Sequence, residues 1–291
     1  FYNIPGLREN SFPLQTLRDA QLIYDYITRL CARAASEPIE KRRRDMLRFI
    51  IGGGGLSGIE FASEFADHAA QCIGNYHVNP QEVEIIIIEA GSHILSKMDE
   101  AFAARIHKKL HEQSIKIVTK TKIVSRTTDT VTLSSGKVLR TKTVIWTGGI
   151  RIQELTRQSG MKTGQLGRII VDEFLNVEEY PSIYAIGDNA LAVNPHSKEA
   201  VPAAAQFALQ QGRLAADNIY ADISGRMRKS YHPKLLGEVV GLGRHLAVGR
   251  LALPFFKKIT FVGFLGSLLR TAIQKKHIFL LRKESRKWIT Y

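Results

Sequence analysis

Cysteine is nearly absent from this chain: Cys31 and Cys72 are the two in 291 residues, and they form no C-x-x-C pair. That spacing excludes a dithiol redox motif and a thiolate metal site, so no metal is assigned. A reducing compartment fits such usage. Acidic residues are also scarce, with 27 Asp and Glu against 41 Lys and Arg and a formal net charge of +14. The most apolar stretch of the tail, "FVGFLGSLLRTAIQKKHIFLL" at residues 261–281, is interrupted by Arg270, Lys275 and Lys276. It falls short of the about 20 mostly apolar residues of a membrane-crossing helix. Nothing resembling a recognition helix, a zinc finger or an RNA-binding aromatic motif accompanies the positive charge, so nucleic acid is not an expected partner. What is present is a globular composition, 44% hydrophobic, enough for one large core or two modest ones.

The stretch "IIGGGGLSGIE", residues 50–60, sets Gly53, Gly55 and Gly58 in the G-x-G-x-x-G register. Two such glycines let the chain turn tightly and bring bare backbone against a pyrophosphate, and the third lets helix and strand pack closely. The phosphates would sit on a helix N-terminus, where unpaired amides and the dipole favour an anion. Alone, the motif is only a turn between strand and helix. Its context adds "MLRFII" as a buried strand before it and "IEFASEFADHAA" after it, with Ile59, Phe61, Ala62 and Phe65 on one helical face. A second continuous apolar strand, "VEIIIIEA", ends in Glu89. A carboxylate there accepts from both ribose hydroxyls and repels a 2′-phosphate, which favours NADH over NADPH. Glu89 stands later than the usual spacing of about 20 residues, which implies a long first helix or an inserted turn around "GNYHVNPQE". The bland alternative is a solvated strand-end glutamate beside a structural turn.

Further along, "DEAFAARIHKKLHEQ" reads as a helix, and "IKIVTKTKIVSRT" and "TVTLSSGKVLRTKTVIWTGG" as strands and hairpins that turn at "SSGK". Gly148 and Gly149 close this nucleotide-binding unit. In "RIIVDEFLNVEEYPSIYAIGDNA" a strand, a turn around Pro181 and a second strand deliver Gly187 and Asp188.

Beyond Arg226 the tail is strongly basic, opposed only by Glu238 and Glu284. A helical wheel over 261–281 gathers Phe261, Phe264, Leu265, Leu268, Leu269, Ala272, Ile273, Phe279 and Leu280 on one arc, with Arg270, Gln274 and His277 opposite. Lys275 and Lys276 fall near the apolar face, where their stems can lie along it. This predicts a helix lying in the interface of an anionic membrane surface. Packing of the same arc on the protein's own core is the equal alternative.

With these residues in view, "SIYAIGDNA" resembles the second flavin fingerprint of two-dinucleotide-binding-domain flavoproteins. "VPAAAQFALQQG", residues 201–212, is similar to the P-x-x-A-Q-x-A-x-Q-Q-G motif of type II NADH:quinone oxidoreductases. "IPGLRENSFPLQTLRDA", "GGGGLSGIE", "WTGGI" and "HIFLLRKESRK" resemble that family in the same order. The resemblance implies an α/β two-dinucleotide-binding-domain flavoprotein: a complete Rossmann-like NADH domain, a partial FAD domain and a C-terminal amphipathic membrane-binding region. The segments would be a lead-in with a helix (1–47), the NADH domain (48–150), the C-terminal part of the FAD domain (151–225) and the membrane-associating region (226–291).

Carried onto this sequence, the resemblance places Gly53, Gly55, Leu56, Ser57, Gly58, Glu60 and Glu89 around NADH, with Gly148 and Gly149 at the end of that cradle. Gly187 and Asp188 would hold FAD, and Ala205, Gln206 and Gln210 would line the region between flavin and quinone. Glu60, Gln206 and Gln210 are the catalytic candidates. Their alternatives are a first-turn acid favoured by the helix dipole and ordinary exposed glutamines. Ala204 stands where Thr is more usual, and Thr147 and Gly148 where Ala-Ala is common. One complete pyrophosphate cradle is present, so the sequence reads as lacking the family's N-terminal flavin-binding section.

The activity implied is hydride transfer from NADH to FAD, then reduction of a membrane quinone without proton pumping, by a peripheral protein on the cytoplasmic face. The partners implied are quinone, an anionic membrane surface and a second copy in a homodimer. Two rival readings remain, a soluble ferredoxin reductase-like flavoprotein and a non-catalytic NADH-binding remnant.

Overall fold

A computed structural model of the chain describes the backbone of residues 3–96, 98–149, 156, 158–253 and 256–288. It divides into two compact units, one of residues 1–149, 238–250 and 259–291, the other of 150–237 and 251–258. The lead-in and most of the basic tail thus belong to the same unit as the glycine motif, a different division from the four consecutive segments expected. Ile150, at the expected NADH-domain boundary, lies outside the described residues.

The first unit is built on a five-stranded sheet in the order β1-β8-β2-β3-β4 (Phe12–Pro13, Thr143–Trp146, Arg48–Gly52, Glu84–Ile88 and Ile115–Val118). Its strand pairs are parallel. Parallel sheets need both faces covered, and the isoleucine-rich strands supply apolar side chains to both. Phe49, Ile51, Ile85, Ile87 and Ile145 enter one buried cluster. Ile50, Ile86, Ile88 and Val144, one residue out of phase, enter another. The first cluster is roofed by α1 (Leu17–Ala35), α3 (Leu56–Tyr76) and α4 (Glu100–Glu112). An antiparallel meander of β5 (Ile123–Arg126), β6 (Thr130–Leu133) and β7 (Val138–Arg140) contributes Ile123, Val131 and Leu133 to the second. A short α2 (Glu40–Met46) leads into β2.

Local chemistry explains the helix ends. Thr16 and Asp19 form a reciprocal capping box at α1, and Asp99 caps α4 by accepting from the Phe102 amide. On α3, Ile59, Ala62 and Phe65 are buried, and Phe65 meets Phe49 edge-on at 4.6 Å. Phe61 is partly buried and stacks on Phe65. The late position of Glu89 has both expected causes: α3 runs 21 residues, then His77 in the left-handed region and a 3-10 turn at Pro80–Glu82 carry the chain to β3.

The second unit packs a smaller core of Ile169, Val171, Leu175, Val177, Ala190 and Phe207. Its strands are β9 (Ile169–Ile170) parallel to β12 (Ala190–Leu191), and β10 (Asn176–Val177) antiparallel to β11 (Tyr180–Tyr184). Pro181 lies inside β11, so the hairpin turns at Glu178–Glu179 and not around the proline as expected; at the edge of a two-stranded pair its missing amide costs little. Helix α5 (Ala205–Ile223) covers this core.

The tail forms β13 (Gly237–Gly241), β14 (Ala247–Leu253), β15 (Phe256–Gly263) and α6 (Phe264–Trp288). The expected helical arc is therefore corrected at its start: Phe261 lies on a strand, and the helix begins after Gly263. Arg270 is not simply turned to solvent. Its guanidinium reaches the Gly243 carbonyl oxygen (3.4 Å) and Glu64 (3.4 Å). The contacts of the Lys257 and Lys258 side chains lie outside the described residues.

Cys31 on α1 and Cys72 on α3, far apart in sequence, are both buried in the first unit's core. Burial pushes the Cys31 thiol up to about 12, and the neighbouring Cys72 adds to the rise. The thiolate is the reactive form, so alkylation of the native protein at pH 8 should be at least tenfold slower than of the urea-unfolded chain, read by mass spectrometry. Equal rates would place these thiols outside the core.

Candidate functional site

The glycine motif leaves β2 at Gly52 and enters α3 at Leu56. Gly53 has φ +118°, a conformation glycine adopts without cost. A Cβ on Gly58 would overlap the Gly53 carbonyl oxygen and stand 2.7 Å from Thr147 Oγ1, so the helix's first turn lies directly against the loop. Thr147, at the end of β8, donates its hydroxyl toward the Gly52 (3.0 Å) and Gly53 (3.2 Å) carbonyls. Gly148 leaves room for the Trp146 ring, 2.9 Å from a Cβ placed there. Gly149 follows on the exposed side.

Gly55 is the N-cap of α3, with no side-chain cap and no acid in the first turn. The amides that open a helix lack intrahelical acceptors. Gly55, Leu56 and Ser57 are exposed, so this N-terminus presents donors and positive dipole to an anion. Glu89 stands at the rim: Oε2 accepts from the Gly54 amide (2.6 Å) and Oε1 from the Gly91 amide (2.6 Å). Each carboxylate oxygen keeps further acceptor capacity, and the side chain is half-buried. The glycines, Leu56, Ser57, Thr147, Gly148 and Glu89 thus form one cradle. It fits a pyrophosphate with an adjacent ribose.

Glu60 lies one turn further along α3, and its Oε1 accepts from the Gly241 amide at 2.9 Å. It anchors β13, as Asp67 anchors the following loop through the Arg244 amide (2.8 Å). Sequence periodicity carried no sign of these partners.

In the second unit, Gly187 opens a 3-10 turn of Gly187–Asn189 with φ +65°. Its amide donates to Gln211 Oε1 at 2.6 Å, and Gln211 is buried. Asp188 is exposed. Ala204 is the N-cap of α5 and gives no side-chain cap, and Ala205 is exposed at the helix start. Arg168 precedes β9, whose Ile169 pairs with Ala190 just after the turn. Its Nη1 donates to the Val201 carbonyl (3.0 Å), while Nε and Nη2 are buried without a partner. Burial pulls this guanidinium down from its ordinary pKa and the nearby Asp188 carboxylate opposes that. A turn with a bare glycine, an exposed aspartate and an uncapped helix start fit the ribityl and ring end of a flavin. Gln211 and Arg168 carry no sequence signal beyond the second glutamine of "LQQG".

The carboxamides of Gln206 and Gln210 are both engaged with backbone. Gln206 bonds the Gly237 carbonyl (3.0 Å) and the Leu236 amide (2.9 Å). Gln210 bonds both the carbonyl and the amide of Lys234, each at 2.9 Å.

Residues 1–212 match the family described as pyridine nucleotide-disulphide oxidoreductase, and the chain belongs to that family. FAD and NADH, the two cofactors expected from sequence, agree with it. The chain is 27% identical over 253 residues to a type II NADH:quinone oxidoreductase of Staphylococcus saprophyticus, a match covering 85% of this chain and 62% of the relative. It is 26% identical over 283 residues to the enzyme so named in Staphylococcus aureus, covering 96% and 68% respectively. The resemblance read from motifs therefore holds, with the chain spanning about two thirds of those relatives' length. Among solved structures, NDH2 from Plasmodium falciparum in complex with NADH shares the fold at a TM-score of 0.80 and 19% identity, over 94% of this chain and 71% of that one. The sulfide:quinone oxidoreductase of Aquifex aeolicus does so at 0.74 and 18%, over 97% and 67%.

Because Gly58 admits no side chain, Gly58→Ala should destabilise the first unit by about 1–3 kcal/mol through overpacking. NADH titration should show at least tenfold weaker binding. Unchanged stability and affinity would show that helix and loop do not meet so closely.

Proposed function

We propose that this chain carries the NADH-binding and part of the flavin-binding machinery of a type II NADH:quinone oxidoreductase, which oxidises NADH and reduces a membrane quinone without pumping protons. One observation carries the reading: a glycine loop locked by Thr147, an uncapped α3 N-terminus and Glu89 converge on a single cradle. Bound FAD would supply the redox chemistry, taking a hydride from the nicotinamide and passing electrons to the acceptor. The chain's own part is binding and alignment. The exposed Gly55, Leu56 and Ser57 amides hold the pyrophosphate, Glu89 takes the ribose hydroxyls, and Gly187, Asp188 and the α5 start hold the flavin's ribityl and ring end.

The membrane side of the proposal rests on α6. Leu269 and Arg270 are half-buried and Gly266 is buried, whereas Phe264, Leu265, Leu268 and Phe279 are exposed, with Lys275, Lys276, Arg282 and Lys283 also exposed. An apolar surface flanked by cations suits an anionic bilayer surface. Among the described residues no helix is long and apolar enough to cross a membrane. A soluble ferredoxin reductase-like flavoprotein leaves the exposed face of α6 without a use. The homodimer and the cytoplasmic face stay part of the proposal as expected from the family.

Calorimetric titration should show NADH binding at least tenfold more tightly than NADPH, with Glu89→Ala narrowing that gap; equal binding of the two by the unaltered chain would sink the assignment. NADH oxidation with added FAD and a soluble quinone tests catalysis, and NADH binding without turnover would favour the non-catalytic reading. Binding to anionic vesicles should weaken as salt screens the cations and be lost in the Leu265→Glu, Leu268→Glu double variant with NADH affinity retained. No vesicle binding by the unaltered protein would leave quinone delivery without a basis.

A further inference from the structure

Arg168 joins two elements of the second unit that are assigned above to the flavin. Leu166 (φ +61°) and Gly167 (φ +76°) are both left-handed. The turn they make is closed by the Gly164 amide donating to the Arg168 carbonyl (2.8 Å) and the Arg168 amide donating to the Gln165 carbonyl (3.3 Å). The chain then enters β9, where Ile169 is in register with Ala190. Arg168 is therefore level with the end of the Gly187–Asn189 turn that carries Asp188. From there its Nη1 donates to the Val201 carbonyl (3.0 Å), on the approach to α5. One side chain thus links the aspartate turn to the lead-in of the helix.

A guanidinium is an unusual group for so closed a position. The residue is 6% exposed, and its Nε and Nη2 have no hydrogen-bond partner among the described residues. Arginine stays protonated and offers its donors in a rigid planar fork. Burying charged donors unpaired is costly, so a fork kept in this state calls for a role beyond packing.

The start of α5 has the same sign. It opens at Ala205 with no side-chain cap and no acid in its first turn, so its free amides and dipole are positive there. A buried cation and a bare helix N-terminus on neighbouring segments favour negative charge. A flavin gains negative charge on reduction, and charge placed beside it tunes its electronics.

We propose that Arg168 is a tuning residue of the flavin site, a buried cation between the Asp188 turn and the α5 start that holds reduced, negatively charged flavin more tightly than the oxidised, neutral form. This rests on the flavin assignment made under the proposed function. The Nη1 bond to Val201 fixes the fork, and Nε and Nη2 keep their hydrogens for the ligand. Preference for the reduced form raises the reduction potential, by about 30 mV for each tenfold in the affinity ratio of a two-electron couple. Contact with the flavin's phosphates, whose charge does not change on reduction, would leave the potential where it was.

Spectroelectrochemical titration of the FAD-loaded chain tests this without turnover. Arg168→Met should lower the midpoint potential by about 30 mV or more, a tenfold loss of preference for the reduced form. Arg168→Lys keeps the charge and should recover most of the shift, with circular dichroism showing a common fold. Arg168→Gln, a donor without charge, reads the same fall should the methionine variant not fold. Fluorescence titration of oxidised FAD completes the test. An unmoved potential with FAD bound would overturn the proposal and leave the flavin site standing: weaker binding of both redox states would assign the fork to the phosphates, and unchanged binding would leave it to packing. Should the unaltered chain take up FAD in neither state, the flavin assignment itself fails, and this inference with it.

Discussion

The first turn of α3 rests on the carbonyl of Gly53 with no side chain between them, and the Thr147 hydroxyl closes the same gap from β8. Helix, loop and two strands share that one point of contact. Close approach there brings the uncapped amides of α3 to the C-terminal end of the sheet's central strand and leaves the adjoining Gly54 amide in reach of Glu89. A hydrogen bond to a charged group contributes about 1.5–3 kcal/mol, so Glu89 both shapes the loop and stands ready at the rim. Thr147 with its hydroxyl holds the loop that the glycines make pliable.

Elsewhere the same device recurs: polar side chains on helices satisfy backbone that has no strand beside it. Glu60 and Asp67 hold Gly241 and Arg244, Gln211 holds Gly187, and Asn218, Gln210 and Gln206 hold the segment leading to β13. At Gly187, Gly241 and Lys229, where these contacts are part-buried, a backbone group left unpaired would cost about 1–3 kcal/mol. These contacts give the irregular segments defined partners in place of a neighbouring strand.

Legibility in the sequence followed the range of the interaction. The parallel strands, α3, α4 and the meander were readable because isoleucine runs, helical periodicity and a glycine-bearing turn are local signals, and Gly53, Gly58 and Glu89 came out in one cradle for that reason. The hydrogen bond that Glu60 accepts from Gly241 is not legible in the sequence, because the two lie 181 residues apart, beyond any periodicity. Gln206 and Gln210 were recognised as a motif, but a motif does not say whether an amide faces a ligand or a backbone. The lead-in was read as a separate piece because two residues, Phe12 and Pro13, suffice to add it to the sheet. At the tail, Phe261 suits a helical arc and a strand equally, and Gly263, with φ +74°, decides the change from one to the other.

In the proposed function, the α3 N-terminus holds a nicotinamide dinucleotide by its pyrophosphate. Phosphorus NMR of NADH titrated with the chain tests it most directly. Both pyrophosphate resonances should shift and broaden on binding, and Gly58→Ala should remove the effect in protein shown to be folded. Binding of NADH with the phosphorus resonances unmoved, or moved equally by the variant, would contradict it.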